Sequence, residues 1–312
     1  MCQHEAPNLK EKVILLSCNM KEPRWNKIGL IYEVDNKNKN LLTHASNPLA
    51  MHLNNDVYRI FYSGRDSNNR SSVSYIDYDI VAQTIVYDHK TPIITPQIGS
   101  FYSHGITIGN YWHENGEVFI GFMGWQQKEG CHWRGDIGKF NLKTKRASIL
   151  MDTSHEDPIS LSYPHVMFDD GVYRMWYGST ISWTSSNGEM IHVIKEAVSN
   201  DMESWNYKSC VIPYEIGTAQ AFSKPSVIKN QEGYRMWYSY RDGAGTPYRI
   251  GYAHSRCGNK WTTGQSNLDI SLNGWDNHMV CYPYVFEHKS QVYMLYNGNR
   301  YGLEGFGLAK GN

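Results

Sequence analysis

The 312 residues balance 30 Lys plus Arg against 30 Asp plus Glu, and only 19% of them are charged, so the basic excess expected of a nucleic-acid binder is missing. Tyr and Trp are abundant, at 23 and 10, while no stretch approaches the roughly 20 apolar residues needed to span a bilayer. Neither a nucleic-acid partner nor a membrane span is expected.

Residues 1–24 read as an N-terminal extension, in which the apolar run Val13 to Leu16 is too short for a signal-peptide core. The six cysteines (2, 18, 131, 210, 257 and 281) form no C-x-x-C pair and lie far apart. They read as free thiols in a reducing compartment, which predicts a cytoplasmic location.

Ile28-Gly29-Leu30-Ile31-Tyr32 has the pattern of a strand, and after it one phrase recurs. Val57-Tyr58-Arg59-Ile60-Phe61-Tyr62 returns as Val172-Tyr173-Arg174-Met175-Trp176-Tyr177, as Gly233-Tyr234-Arg235-Met236-Trp237-Tyr238 and as Val292-Tyr293-Met294-Leu295-Tyr296. A weaker copy, Glu117 to Phe122, fills the gap, so equivalent positions 58, 118, 173, 234 and 293 mark five units of about sixty residues. Each unit repeats an apolar run after Pro or Ser, a turn, the aromatic strand, a polar loop and a third alternating strand. Glu203-Ser204-Trp205 and Asn259-Lys260-Trp261 supply short fourth strands.

Four antiparallel strands repeated radially predict an all-β, five-bladed β-propeller over residues 25–312, with aromatic rings filling the layers between blades. The last unit stops near Phe306-Gly307-Leu308-Ala309 without a fourth strand. The Ile28–Tyr32 segment is expected to pair there and close the ring.

Several phrases, taken in order, carry a resemblance: Trp25-Asn26-Lys27-Ile28-Gly29, His44-Ala45 with Pro48, Ser63-Gly64-Arg65-Asp66 with Arg70-Ser71, Tyr238-Ser239-Tyr240-Arg241, Gly274-Trp275-Asp276, and Tyr296-Asn297-Gly298-Asn299 with Tyr301-Gly302. Across nearly the whole chain the sequence resembles the bacterial glucosyl hydrolase-like proteins, relatives of the five-bladed propeller glycosidases of glycoside hydrolase families 32, 43 and 68. The resemblance implies a sugar site in the central funnel, built from residues just before each inner strand. Those positions hold His44, Ser103-His104, Ser160 and Ser162, Gln220 and Ser223, and Asp276 with His278.

Glycosidic cleavage generally needs two carboxyl groups about 5 to 9.5 Å apart. The resemblance implies a Glu where Gln220 stands and another near His278, so two acids are missing from the expected pattern. Asp66 and Asp276 remain as candidate catalytic carboxylates, with His104 as a candidate acid/base; Asp66 reads more readily as a charge-paired loop anchor. Trp275 offers a stacking face for a pyranose. His44, His104 and His278 fall at equivalent positions and suit hydrogen bonding to substrate better than metal ligation, since no short-range ligand motif is present. Arg65 and Arg241 suit an anionic group such as a uronate or phosphate, or else pair with Asp66 and Asp242. His192 and Lys195 are further substrate-binding candidates.

The sequence therefore predicts an enzyme acting on a glycosidic linkage, by hydrolysis or glycosyl transfer, in the synthesis or tailoring of a surface glycan. Its partner would be a carbohydrate or nucleotide sugar, without cofactor or metal. The alternatives are a sugar-binding propeller that has lost its acids, or a protein-interaction platform.

Overall fold

The computed structural model describes residues 20–312, so most of the expected extension, with Cys2, Cys18 and the Val13–Leu16 run, lies outside the described residues. Strand β1 (Trp25–Tyr32) comes first. A first set follows: β2 (Thr43–Asn54), β3 (Val57–Arg65), β4 (Ser71–Asp79) and β5 (Thr84–Ile94). The second is β6 (Gly105–Glu114), β7 (Glu117–Gln127), β8 (Trp133–Asn141) and β9 (Ala147–Met151); the third is β10 (Leu161–Asp169), β11 (Val172–Ser182), β12 (Ile191–Ser199) and β13 (Asn206–Cys210). The fourth comprises β14 (Ala221–Asn230), β15 (Gly233–Arg241), β16 (Arg249–Ser255) and β17 (Thr262–Gln265). In the fifth, β18 (Cys281–His288) and β19 (Gln291–Asn297) lead through a helical turn, α1 (Asn299–Gly302), to β20 (Phe306–Gly311).

Within each set the strands pair antiparallel in chain order. The fifth set takes its fourth strand from the other end of the chain, with β1 running antiparallel to β20 from Trp25↔Gly311 to Tyr32↔Phe306. The first strands of the sets touch in cyclic order, β2 to β6, β10, β14, β18 and back to β2. Single parallel bridges, Ser71↔Gly105 and His192↔Ala221, join the first set to the second and the third to the fourth.

The aromatic phrases are the second strands, and neighbouring residues along them are buried together: Met175, Trp176 and Tyr177, or Met236, Trp237 and Tyr238. Successive side chains of a strand point to opposite faces, so burial of consecutive residues requires cover on both. The apolar clusters supply it. Met175 and Tyr177 pack with Trp112 and Ile137 of the second set, Trp176 packs with Phe222 and Tyr238 of the fourth, and Trp237 packs with Val285 and Tyr296 of the fifth. The fourth strands of the third and fourth sets start one residue after the predicted tryptophans. Ser199 and Asp201 oxygens accept the backbone N–H groups of residues 201–204, Ser255 Oγ accepts those of Cys257 and Gly258, and these turns keep Trp205 and Trp261 out of the ladder.

Residues before β1 are docked as well. Glu22 accepts hydrogen bonds from Trp25 Nε1 (2.8 Å), Trp237 Nε1 (2.7 Å) and Ser266 Oγ (2.7 Å), and Arg24 exchanges backbone hydrogen bonds with Asn312. The seam between chain ends is closed by polar contacts as well as by the ladder.

Every first strand carries a bulge at the same place. Pairing slips at Ser46/Leu49, Ile108/Tyr111, Ser162/His165, Ser223/Ser226 and Cys281/Tyr284. In four of them a residue at positive φ precedes proline: Asn47-Pro48 (φ 56°), Tyr163-Pro164 (45°), Lys224-Pro225 (51°) and Tyr282-Pro283 (54°). The second set has Gly109-Asn110 instead, and a Cβ on Gly109 would meet the Pro164 carbonyl oxygen at 1.9 Å. A bulge re-aims the side chain it carries. Asn47, Tyr163 and Tyr282 consequently face one shared cavity. Lys224 instead sends Nζ to the carbonyl oxygens of Ile108 (2.7 Å) and Gly109 (2.5 Å), linking the fourth set to the second.

Candidate functional site

The cavity has a volume of about 310 Å³ and receives residues from all five sets. The first contributes Ser46, Asn47, Ser63, Arg65, Asn69 and Ser71; the second Thr107, Met123, Trp125 and Trp133; the third Tyr163 and Met190. Arg241 and Tyr248 come from the fourth, and Tyr282 and Tyr301 from the fifth. Six aromatic rings and a fringe of hydroxyl and amide groups make a wall of the kind that binds amphipathic, hydroxylated ligands. Among the described residues no Asp or Glu lines it.

The rings are held by their neighbours. Trp125 Nε1 donates to Ser71 Oγ (3.1 Å), and Tyr282 lies 5.7 Å from Tyr163 and 6.3 Å from Tyr248 and Tyr301, centroid to centroid. Burial raises the pKa of Tyr163, Tyr248 and Tyr282, which keeps these phenols neutral at ordinary pH. Tyr301 and the preceding Arg300 both adopt positive φ (61° and 52°), and the Tyr301 carbonyl accepts from Ser46 Oγ. Two consecutive residues in that region carry a conformational cost that the surrounding structure must offset.

Arg241 is fixed on three sides. Its Nε lies 2.7 Å from Glu189 Oε2, its Nη2 donates to Glu189 Oε1 (2.9 Å), and its guanidinium lies 5.0 Å from the Tyr248 ring centre. Its partner is thus Glu189, a residue that no sequence pattern singled out, and not Asp242. Glu189 sits on the loop between β11 and β12, which Gln220 organises: Gln220 Oε1 accepts from Asn187 Nδ2 and Gly217 N–H, while Nε2 donates to Ser185, Asn187 and the Met190 carbonyl. With its amide fully engaged and its surface buried, Gln220 shapes the cavity without lining it.

The other sequence candidates are spread around the molecule. Asp66 accepts from the backbone N–H groups of Asn68 and Arg70 and from Arg70 Nε (2.9 Å), which lowers its pKa against the opposing effect of burial. It anchors the β3–β4 turn with Arg70 as its partner, not Arg65. Asp276 is buried against Lys27 Nζ (2.6 Å) and Tyr296 OH (3.0 Å), pinning β1 to the fifth set, and Trp275 packs on Tyr296 at 5.0 Å. His278 is exposed. His104 accepts the Gln127 backbone N–H (3.3 Å) and lines a separate surface hollow with residues 127–130. None of these lines the central cavity.

His192 lies between Ser162 Oγ (2.7 Å) and Thr180 Oγ1 (2.8 Å), and burial lowers its pKa to about 4, so it is a neutral buried tie. Lys195 donates to buried Asp157 (2.6 Å), which also accepts from Tyr177 OH (2.8 Å) and Ser179 Oγ. His44, next to the cavity with φ 61°, has its pKa lowered to about 4 by burial and by the neighbouring Arg65. Arg65 makes no ion pair or side-chain hydrogen bond among the described residues. Among the lining groups missed by sequence reasoning, the X-Pro step on the first strands was the available signal for Asn47, Tyr163 and Tyr282. Among the described residues no group of three or more His, Cys, Asp or Glu is placed to hold a metal, and no helix is long and apolar enough to cross a membrane.

No family model matches the chain. Two Mycobacterium tuberculosis proteins, "Uncharacterized protein MT1551" and "Uncharacterized protein Rv1502", are each 34% identical over 298 residues, covering 91% of this chain and 98% of theirs. Among solved structures, one described as "The GH130 family of mannoside phosphorylases contains glycoside hydrolases that target beta-1,2 mannosidic linkages in Candida mannan" superposes with a TM-score of 0.70 at 12% identity, covering 94% of both chains. A Bombyx mori GH32 beta-fructofuranosidase superposes with a TM-score of 0.63 at 10% identity, over 86% of this chain and 61% of that one. The fold is that of glycosidase-like β-propellers.

Proposed function

The chain belongs to the family of the two Mycobacterium tuberculosis proteins, and from that premise we propose that it is a five-bladed β-propeller over residues 25–312 whose axial cavity binds a carbohydrate. The observation that carries this reading is the composition of the cavity wall. Aromatic rings from four sets line it together with Ser, Thr and Asn side chains. A hydroxylated ring with one apolar face suits both halves of that wall.

Carbohydrate binding without two-carboxylate hydrolysis fits the wall best. Hydrolysis needs an acid and a second carboxylate across the bond. Asp66 and Asp276 are committed to Arg70 and Lys27, and Glu189 to Arg241. A second reading, action on a glycosidic linkage, is favoured by the fold shared with glycoside hydrolases; Glu189, beside Arg241 at the cavity, is then the carboxyl group on which such chemistry depends. Calorimetric titration with a panel of mono- and oligosaccharides, run beside turnover assays with the same sugars, tests both. Binding without turnover supports the first reading. Release of reducing sugar or glycosyl transfer that Glu189→Gln abolishes supports the second, and binding of no sugar overturns both.

A further inference from the structure

Charge around the cavity does not cancel. Two guanidinium groups, Arg65 and Arg241, face it, and among the described residues no acidic side chain does. Arg241 is neutralised at close range by Glu189. Arg65 is not: its chain neighbour Asp66 turns to Arg70 and two backbone N–H groups, and among the described residues no carboxylate lies within ion-pair reach of its own guanidinium. His44, which it faces, is depressed to about 4 and carries no charge at neutral pH, while Arg300, also felt by His44, is paired with Glu304 at 3.6 Å. One uncompensated positive charge therefore projects into a half-enclosed, aromatic-walled cavity.

A cation left unpaired beside low-dielectric walls is costly unless the ligand brings the opposite charge. A planar carboxylate matches the guanidinium fork in two parallel hydrogen bonds, which a neutral hydroxymethyl group cannot do. We propose that the saccharide held in this cavity is acidic, a uronic acid whose carboxylate is read by Arg65, with the sugar ring against the aromatic wall. This rests on the carbohydrate reading given above and narrows its substrate class. Asn47 and Ser63, on the same set as Arg65, line the same wall.

The test is a charge-matched titration of the full chain, followed by tryptophan fluorescence or ligand-observed NMR. D-glucuronate and D-galacturonate are compared with glucose and galactose, with galactose 6-phosphate and inorganic phosphate as further probes. The expected result is uronate binding roughly 10- to 100-fold tighter than the neutral sugar, the range for one charge-assisted contact. That preference weakens as salt rises. Arg65→Gln should erase it while Arg65→Lys retains part of it, and a thermal midpoint near that of the parent shows that both variants fold. Equal affinity for acidic and neutral sugars overturns this inference and leaves the carbohydrate reading standing, as does a preference that survives in Arg65→Gln. Inorganic phosphate binding as tightly as the uronate, or galactose 6-phosphate binding tighter, also overturns it in favour of a phosphate site. If no sugar of either charge binds, the carbohydrate reading falls and this inference with it.

Discussion

Lys224 offers the sharpest physical prediction. Its ammonium group is buried with no carboxylate partner among the described residues; it donates to two backbone carbonyls, lies 5.9 Å from the Tyr284 ring centre, and burial lowers its pKa from 10.5 to about 7. His165, a titratable base that feels its charge, is itself lowered to about 3 by burial and by Lys224, so it stays neutral through the working range. A base whose pKa is depressed on folding binds fewer protons in the native state than in the unfolded chain, so stability must rise with pH between those two values. From pH 7 to 8.5 this one group contributes a gain of about 1.5 kcal/mol, with a limiting slope near 1.4 kcal/mol per unit. The window stops short of the Cys281 thiol and the buried tyrosines, whose raised pKa values make stability fall at higher pH. Urea unfolding at half-unit intervals measures the gain in the parent, and Lys224→Met should remove it, whatever its effect on absolute stability. A parent curve that is flat or falling from pH 7 to 8.5, or a variant that keeps the slope, refutes the claim that Lys224 is buried as a depressed base.

Other outcomes follow from the same contacts. Lys27→Met leaves the buried Asp276 carboxylate with Tyr296 alone, and since breaking such a pair costs about 3–5 kcal/mol, urea unfolding should show a loss near the lower end with saccharide affinity unchanged. Trp133→Ala, which removes a half-buried ring from the cavity wall, should weaken saccharide binding about threefold to tenfold in calorimetry while moving the thermal midpoint little. His165 and His192 fold with pKa values of about 3 and about 4, below the unfolded 6.5. The unfolded chain therefore takes up protons first as pH falls, and each group should cost up to about 2 kcal/mol of stability between pH 6.5 and 5; equal unfolding midpoints at those two pH values would contradict this.

Much of the fold was legible because strands leave local traces. The recurring aromatic phrase, Tyr-Arg-Met-Trp-Tyr in the third and fourth sets and variants of it in the others, marked the second strands, and the missing fourth strand after Ala309 pointed to β1 as its replacement, the pairing seen from Trp25↔Gly311 to Tyr32↔Phe306. The site was less legible. His44, His104, Asp276 and His278 were grouped because each precedes a first strand, yet a position along a strand does not state where its side chain points. The bulges decide that: the X-Pro steps further on turn Asn47, Tyr163 and Tyr282 into the cavity, while His104 lines a separate surface hollow and His278 is exposed.

Local chemistry along the chain thus determined the element type, the repeat and the use of aromatic residues between sheets, because short apolar and aromatic runs and the turn residues that bound them act over a few positions. It also determined that Arg65 and Arg241 end aromatic strands. Which acid each arginine meets was decided only in three dimensions. Glu189 lies 52 residues from Arg241 and reaches it through a loop ordered by Gln220, whereas Asp66, adjacent to Arg65, turns away to Arg70. Ion pairing depends on distances of a few ångströms between groups that different strands deliver, and that convergence has no signature in the order of the residues.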